Sequence, residues 1–161
     1  MNHVIGIDNG VSGALVHLNR EGNIIGSLCM PVQKTRKGNE VNVSEVWRWL
    51  KVATYGVDCT VCIEEPGGSK SAKAASSMAG SFHALRACIE IMGLRCVRIT
   101  PQAWQRPTLR CRAGNTKPVA LQMAKSLWPG YDFKRTGRCT KDNDGLVDAA
   151  LIARYAQLNN L

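Results

Sequence analysis

The sequence contains no apolar stretch of the roughly 20 residues that a membrane-spanning helix needs, and its first residues do not form a secretory leader. We therefore expect a cytoplasmic protein that does not enter a membrane. Aromatic residues are also few, at 6% of the chain against 45% hydrophobic residues overall. The core should consist mainly of Val, Ile, Leu and Ala, and 161 residues without repeats suit one domain spanning residues 1–161.

Acidic residues are scarce relative to basic ones. The chain has 12 Asp and Glu against 21 Lys and Arg, which gives a formal net charge of +9. This surplus favours a polyanionic partner such as nucleic acid, although a soluble protein that is merely basic remains the alternative.

The sequence also lacks the paired cysteine motifs of a disulfide framework or a zinc site. Its seven cysteines are an odd, scattered set, so we expect reduced thiols. Cys59 and Cys62 form one CxxC pair, but the run DCTVCIEE indicates a strand, on which residues three apart face opposite sides. Because no second pair with suitable His ligands is present, we do not expect structural zinc.

The first thirty residues alternate between strand-like runs and turns. HVIGID ends at Asp8, Asn9-Gly10 form a turn before GALVHL, and residues 21–23 form a second turn before IIGSLCM. This pattern predicts an antiparallel meander of three strands. Residues 31–42 are polar and basic, and we predict a loop there.

Two further strands and several helices follow. A helix is predicted with Ser44 as its N-cap, then a buried strand that ends at Glu64, then a helix of small and apolar residues from Ser71 to Met92. LRCVRI is predicted to be the fifth strand, and the remainder is helical, with a last helix over about 144–157. This order predicts an α/β fold: a mixed five-stranded sheet, with a three-stranded antiparallel meander plus two parallel strands, and helices on both faces.

Four carboxylates stand where a purely structural sequence rarely puts them. Asp8 and Glu64 each end an apolar strand, while Asp144 and Asp148 lie four residues apart on an otherwise apolar helix and share one face. Clustered carboxylates repel each other and are costly to desolvate unless a cation neutralises them. Oxygen ligands of this kind suit Mg²⁺, so the sequence predicts a site for it, with Mn²⁺ as a substitute.

Each of these residues taken alone also has a structural explanation. Asp8 could be a turn aspartate, and either Glu64 or the adjacent Glu65 could be a surface charge at a strand end. Asp142 and Asp144 could each be an N-cap, which is the better interpretation of Asp142. Asp148 is hardest to explain in this way, because apolar neighbours surround it and a buried charge needs a partner.

Two basic segments flank the predicted site and are candidates for DNA binding, because the phosphates of a bound strand need cations to hold them beside acidic groups. A solvated surface is the alternative. The tryptophans are expected to be core or helix-packing residues, whereas Phe133 is a candidate for base stacking. The basic candidates are Arg106, Arg110, Arg112 and Lys117 in the first segment and Lys134, Arg135, Arg138 and Lys141 in the second.

Several motifs together resemble the RuvC-type Holliday-junction resolvases of the ribonuclease H-like superfamily, particularly their short phage and bacterial branch. The resemblance covers roughly residues 3–157 and depends on the order and spacing of the motifs. The motifs are IGIDNGVSGALV, VCIEEPGG followed by SSMAGSFHALRACIEIMG, VRITPQAWQ, and DGLVDAALIARYA.

The resemblance implies a magnesium-dependent crossover-junction endonuclease from a bacterium or phage that cuts four-way DNA junctions as a homodimer. The family's metal ligands fall on Asp8, Glu64, Asp144 and Asp148. Two departures stand out: the loop after Glu64 offers no aromatic wedge, and Asn143 stands where many phage relatives have His. A branched-DNA nuclease with less selectivity is the nearest alternative, and a non-catalytic junction-binding module is another. Actin-like kinases share the first motif but need two lobes, and this length supplies only one.

Overall fold

The central sheet of the protein has five strands, as predicted. The computed structural model describes residues 2–36, 38–68, 71–110 and 116–161. The sheet has the order β3-β2-β1-β6-β7, in which β1, β2 and β3 are antiparallel and β6 and β7 run parallel to β1. Its strands are β1 (His3–Asp8), β2 (Ala14–Leu18), β3 (Ile24–Cys29), β6 (Cys59–Glu64) and β7 (Arg95–Ile99), and a separate hairpin consists of β4 (Val32–Thr35) and β5 (Gly38–Val41).

Helices cover both faces of this sheet, because its central strands are apolar on both sides. On β1, Val4 belongs to the core beneath α3, α4 and α5, whereas Ile5 and Ile7 belong to the core beneath α1 and α2. The helices are α1 (Val43–Ala53), α2 (Ala72–Ile91), α3 (Pro101–Leu109), α4 (Thr116–Leu127) and α5 (Asp144–Leu158). Among the described residues, no helix is both long enough and apolar enough to span a membrane.

Helix α5 lies unusually close to the sheet because small residues line its path. A Cβ atom on Gly6 of β1 would collide with the backbone of α5 at Ala149 and Ala153. At the start of the helix, a Cβ on Gly145 would lie 2.6 Å from the Cα of Gly13. The glycines therefore set the distance at which α5 approaches the end of β1.

Three sequence predictions about local structure are wrong. Residues 31–42 contain the β4–β5 hairpin instead of a loop, and the packing of Val41 into the core beneath α1 and α2 stabilises it there. The N-cap of α1 is Asn42, whose side chain accepts a hydrogen bond from the Glu45 N–H, so Ser44 lies within the helix. Phe133 is fully buried against Tyr131 and cannot offer an exposed ring for stacking.

Candidate active site

Asp8 and Glu64 end two neighbouring parallel strands. The register that pairs Ile7 of β1 with Ile63 of β6 brings the next residues, Asp8 and Glu64, to the same edge of the sheet. Both residues are half-buried, so their carboxyl groups lie at the boundary between core and solvent.

Helix α5 brings the other two carboxylates to this edge. Its N-cap is Asn143, whose side chain accepts a hydrogen bond from the Leu146 N–H at 2.9 Å. Neither Asp142 nor Asp144 is therefore the cap. Asp144 lies exposed in the first turn and Asp148 lies half-buried one turn later, and the contact between Gly145 and Gly13 holds this end of the helix against the turn that follows Asp8.

The carboxylates lie near enough to one another to interact electrostatically. Burial and, to a smaller extent, the charges of Asp8, Glu64 and Asp144 together raise the pKa of Asp148 to about 7. The pKa of Glu64 is also raised to about 7. Burial and the charge of Asp8 raise it, whereas the hydrogen bond from Trp104 lowers it. The pKa of Asp8 is raised as well, chiefly by burial. A proton or a cation is therefore favoured within the cluster near neutral pH.

Lys117 supplies positive charge to the cluster in this structure. Its Nζ lies 2.5 Å from Oδ2 of Asp144, and this pairing raises the pKa of Lys117. The ammonium charge also lowers the pKa of Asp8 and of Asp148, against the effect of burial. The sequence suggested Lys117 only as a phosphate contact, but the structure places it at the carboxylates.

Glu64, not Glu65, faces the cluster. The indole N–H of Trp104 donates a hydrogen bond to Oε1 of Glu64 at 2.6 Å, and the side-chain amide of Asn9 donates to the Glu64 carbonyl at 2.5 Å. Glu65 instead forms an ion pair with Arg98 on β7, at 3.9 Å. Sequence analysis did not identify Trp104 or Asn9 as part of the site. In the sequence, Asn9 is marked only by its position directly after Asp8, and nothing near Trp104 links it to Glu64.

The chemistry of the cluster fits a hard divalent cation. Its donors are carboxylate oxygens, which Mg²⁺ and Mn²⁺ accept, and a bound cation would oppose the burial and mutual repulsion that raise the pKa values of Glu64 and Asp148. Within the described ranges, no group of three or more Asp, Glu, His or Cys side chains is arranged so that it could hold a metal ion as the side chains stand. Asp144 is paired with Lys117 instead, so the side chains would have to rotate to bring the carboxylate oxygens around an ion.

Comparison with known proteins supports the fold through structure rather than sequence. No family model and no curated protein sequence matches the chain. Among solved structures, Thermus thermophilus RuvC superimposes with a TM-score of 0.64 at 15% identity, covering 98% of this chain and 96% of that one. T. thermophilus RuvC in complex with a Holliday junction substrate superimposes with a TM-score of 0.62 at 17% identity, covering 99% of this chain and 95% of that one.

The chain has the fold of RuvC. At this level of identity the similarity establishes the architecture, including the mixed ribonuclease H-like sheet predicted from the sequence. The fold alone does not determine the activity of the protein, which depends on the chemistry of its own residues.

Within this RuvC fold, the predicted DNA-binding residues differ in their environments. Apart from Lys117, none of those described is seen in contact with a carboxylate of the cluster. Lys134 is half-buried and lies 3.8 Å from Asp132, while Arg112 lies outside the described residues. The exposed members are Lys117, Arg106, Arg110, Arg135, Arg138 and Lys141.

Proposed function

We propose that this chain is a divalent-metal-dependent endonuclease that cuts four-way DNA junctions as a homodimer. The observation that carries the proposal is the cluster of Asp8, Glu64, Asp144 and Asp148 at one edge of a sheet with the fold of RuvC. The solved relative bound to a Holliday junction supports the choice of substrate, and the net charge of +9 suits any DNA. The cytoplasmic location expected from the sequence belongs to the same proposal.

The four carboxylates would hold Mg²⁺, or Mn²⁺ in its place. Bound metal would supply activation of the attacking water and stabilisation of the charge that develops on the leaving 3′ oxygen. The carboxylates themselves must lose the protons that their raised pKa values favour, so the site is best prepared at pH values above about 7.

Lys117 and the exposed cations would act on the DNA itself. The ammonium group of Lys117 lies among the carboxylates and offsets the repulsion that they exert on an approaching phosphate. The exposed Arg135, Arg138 and Lys141 precede α5 in the chain and would hold the phosphates of neighbouring nucleotides. These contacts position the duplex without reading its sequence.

A nicking assay tests the function directly. Asp8→Asn and Glu64→Gln should abolish magnesium-dependent cleavage of a four-way junction and leave DNA binding largely intact, because the basic surface persists. Glu65→Gln is the matched control, since Glu65 pairs with Arg98 and should keep near-normal activity. Substantial cleavage by either of the first two variants would refute the metal assignment.

The substrates in the same assay separate the alternative functions. Comparable cleavage of four-way junction, fork, duplex and single strand would indicate a nuclease without junction preference. Binding of the junction by the wild type without cleavage in Mg²⁺ or Mn²⁺ would indicate a binding module.

A homodimer is proposed because a four-way junction offers two equivalent strands for cutting, and a two-fold dimer presents two identical sites. The surface for it would be the apolar cleft between α1 and α2, which is lined by Trp47, Ala84, Ala87 and Ile91. Trp47 is 41% exposed and Ile91 is 85% exposed, and together they form a contiguous apolar surface of the kind that interfaces use.

Charge substitutions on α2 test the dimer by light scattering. Ala87→Glu should yield a folded monomer that nicks a junction without resolving it, because Ala87 is exposed in the cleft. Ser126→Glu, at an exposed position on α4, is the control and should remain dimeric. Ala79, on the same helix, is half-buried and is a weaker choice, because Ala79→Arg would disturb packing within the monomer. A wild type that is monomeric both free and on the junction would contradict the model.

A further inference from the structure

Trp104 makes an unusual contact for a buried tryptophan. Its side chain is fully buried in the core beneath α3, α4 and α5, and its indole N–H donates to Oε1 of Glu64 at 2.6 Å. A buried indole needs an acceptor, and a main-chain carbonyl satisfies this need elsewhere in the chain, where Trp128 donates to the carbonyl of Gly22 at 2.8 Å. At Trp104 the acceptor is instead a carboxylate of the candidate site.

Glu64 is held from a second direction through its main chain. The side-chain amide of Asn9, which is 2% exposed, donates to the Glu64 carbonyl at 2.5 Å and so ties the end of β1 to the end of β6. A glutamate side chain normally has several rotamers, and fixing one of them costs conformational entropy. Here the backbone and one carboxylate oxygen are both fixed by buried groups before any ligand binds.

We propose that Trp104 is a positioning residue that fixes the Glu64 carboxylate, so that Oε1 is committed to the indole and Oε2 is left for a metal ion. The proposal rests on the metal site of the proposed function. It adds a residue from α3 to a site that the sequence assigned to β1, β6 and α5 alone.

An indole is well suited to this role because it donates one hydrogen bond and carries no charge. A lysine or arginine at the same place would neutralise Glu64 and compete with a divalent cation for it. The indole instead orients the carboxylate while preserving its negative charge, which is the role that outer hydrogen-bond partners have at metal sites. The ring also fills the core beside α3, so its position is fixed by packing.

The test compares manganese affinities of folded variants by electron paramagnetic resonance, without DNA and without turnover. Trp104→Phe removes the donor and keeps an aromatic ring, and we expect Mn²⁺ to bind roughly 10- to 100-fold more weakly. Trp128→Phe is the matched control, because it removes a buried indole donor that serves a main-chain carbonyl, and its Mn²⁺ affinity should equal that of the wild type. Thermal unfolding verifies that each variant is folded.

A double-mutant cycle separates positioning from general packing. If Trp104 acts through Glu64, then Trp104→Phe should change Mn²⁺ affinity less than about two-fold in a Glu64→Gln background. If the Phe variant does not fold, a benzothiophene analogue of tryptophan at position 104 keeps the ring size, lacks the N–H and should show the same loss.

The outcomes distinguish this inference from the function on which it rests. Wild-type affinity in a folded variant without the indole N–H would overturn the role of Trp104 and leave the metal site standing. An equal loss with and without the Glu64 carboxyl would show that Trp104 acts by packing alone, which also overturns it. A wild type that binds no Mn²⁺ would refute the proposed function itself.

Discussion

Replacement of Asp148 by asparagine should stabilise the metal-free protein at alkaline pH. Asp148 is half-buried, and its pKa is raised from 3.8 to about 7 by burial and by the charges of Asp8, Glu64 and Asp144. A raised carboxyl pKa means that the folded state holds the proton more tightly than the unfolded state does. The contribution of this group to stability is therefore fully present below pH 3.8 and is lost as the pH rises from there to about 7.

The size of the gain follows from this shift. A change from 3.8 to about 7 would correspond to about 4 kcal/mol at 1.36 kcal/mol per pKa unit, which is a ceiling. Because Asp148 is partly open to solvent, screening reduces this value, and we expect Asp148→Asn to raise the free energy of unfolding by about 1–2 kcal/mol at pH 8. At pH 4, close to the unfolded value of 3.8, little of this loss has occurred, so the gain should be small.

Urea unfolding in the presence of a chelator, at pH 4 and pH 8, measures the gain at both pH values. Asp58→Asn is the matched control, because Asp58 is exposed and precedes β6 at the opposite end of the strand from Glu64. A stabilisation that is the same at both pH values, or its absence at pH 8, would refute the account of a strained carboxylate cluster. With Mg²⁺ added, the wild type should instead be more stable than Asp148→Asn, since only the wild type keeps all four carboxylates for the ion.

Three other results are expected. Burial and the charge of His3 lower the pKa of His17 to about 4. Because the unfolded state takes up this proton first, the wild type should lose up to about 3 kcal/mol of stability as the pH falls from 6.5 to 4. Urea unfolding of His17→Gln should not show this loss. Gly145→Ala should lower the free energy of unfolding by about 1–3 kcal/mol through a collision with the backbone, whereas Gly80→Ala, in open space on α2, should not. Replacing the exposed cations of segment 135–141 by glutamine should flatten the dependence of log DNA affinity on log salt, and an unchanged slope would leave them as a solvated surface.

The sequence predicts the positions of the carboxylates well because strand ends are defined by local patterns. The apolar runs that end at Asp8 and Glu64 have the length and composition of buried strands, and the order of elements makes them neighbours. The last helix begins at Asp144, as predicted. The individual side-chain orientations within the site needed the structure, since Glu64 is distinguished from Glu65 only by their contacts, with Trp104 and with Arg98 respectively.

The errors arise where tertiary packing overrides local composition. Residues 31–42 are rich in polar and charged residues, yet they form β4 and β5 because Met30 and Val41 at the two ends are buried in the core beneath α1 and α2. Phe133 lies among basic residues in the sequence, but its ring is buried with Tyr131 and Trp128. Neither contact leaves a periodic signal, because the partners are distant in the chain or lie in an irregular segment.

Lys117 shows why the charge of a segment is a poor guide to the role of one of its members. In the sequence it is one cation of a basic segment, and all such cations have the same expected role at a phosphate. In the structure α4 begins at Thr116, so the first turn of α4 brings Lys117 to the first turn of α5, within 2.5 Å of Asp144. A cation at that place lowers the pKa of the carboxylates that a divalent ion would need. The same ammonium group must therefore leave Asp144 if Asp144 is to bind metal, and a phosphate entering with the DNA offers it another anionic partner. Binding of DNA and binding of metal would then favour each other. The phosphate would draw Lys117 away from Asp144, which frees Asp144 for the metal, and the metal would in turn free Lys117 for the phosphate.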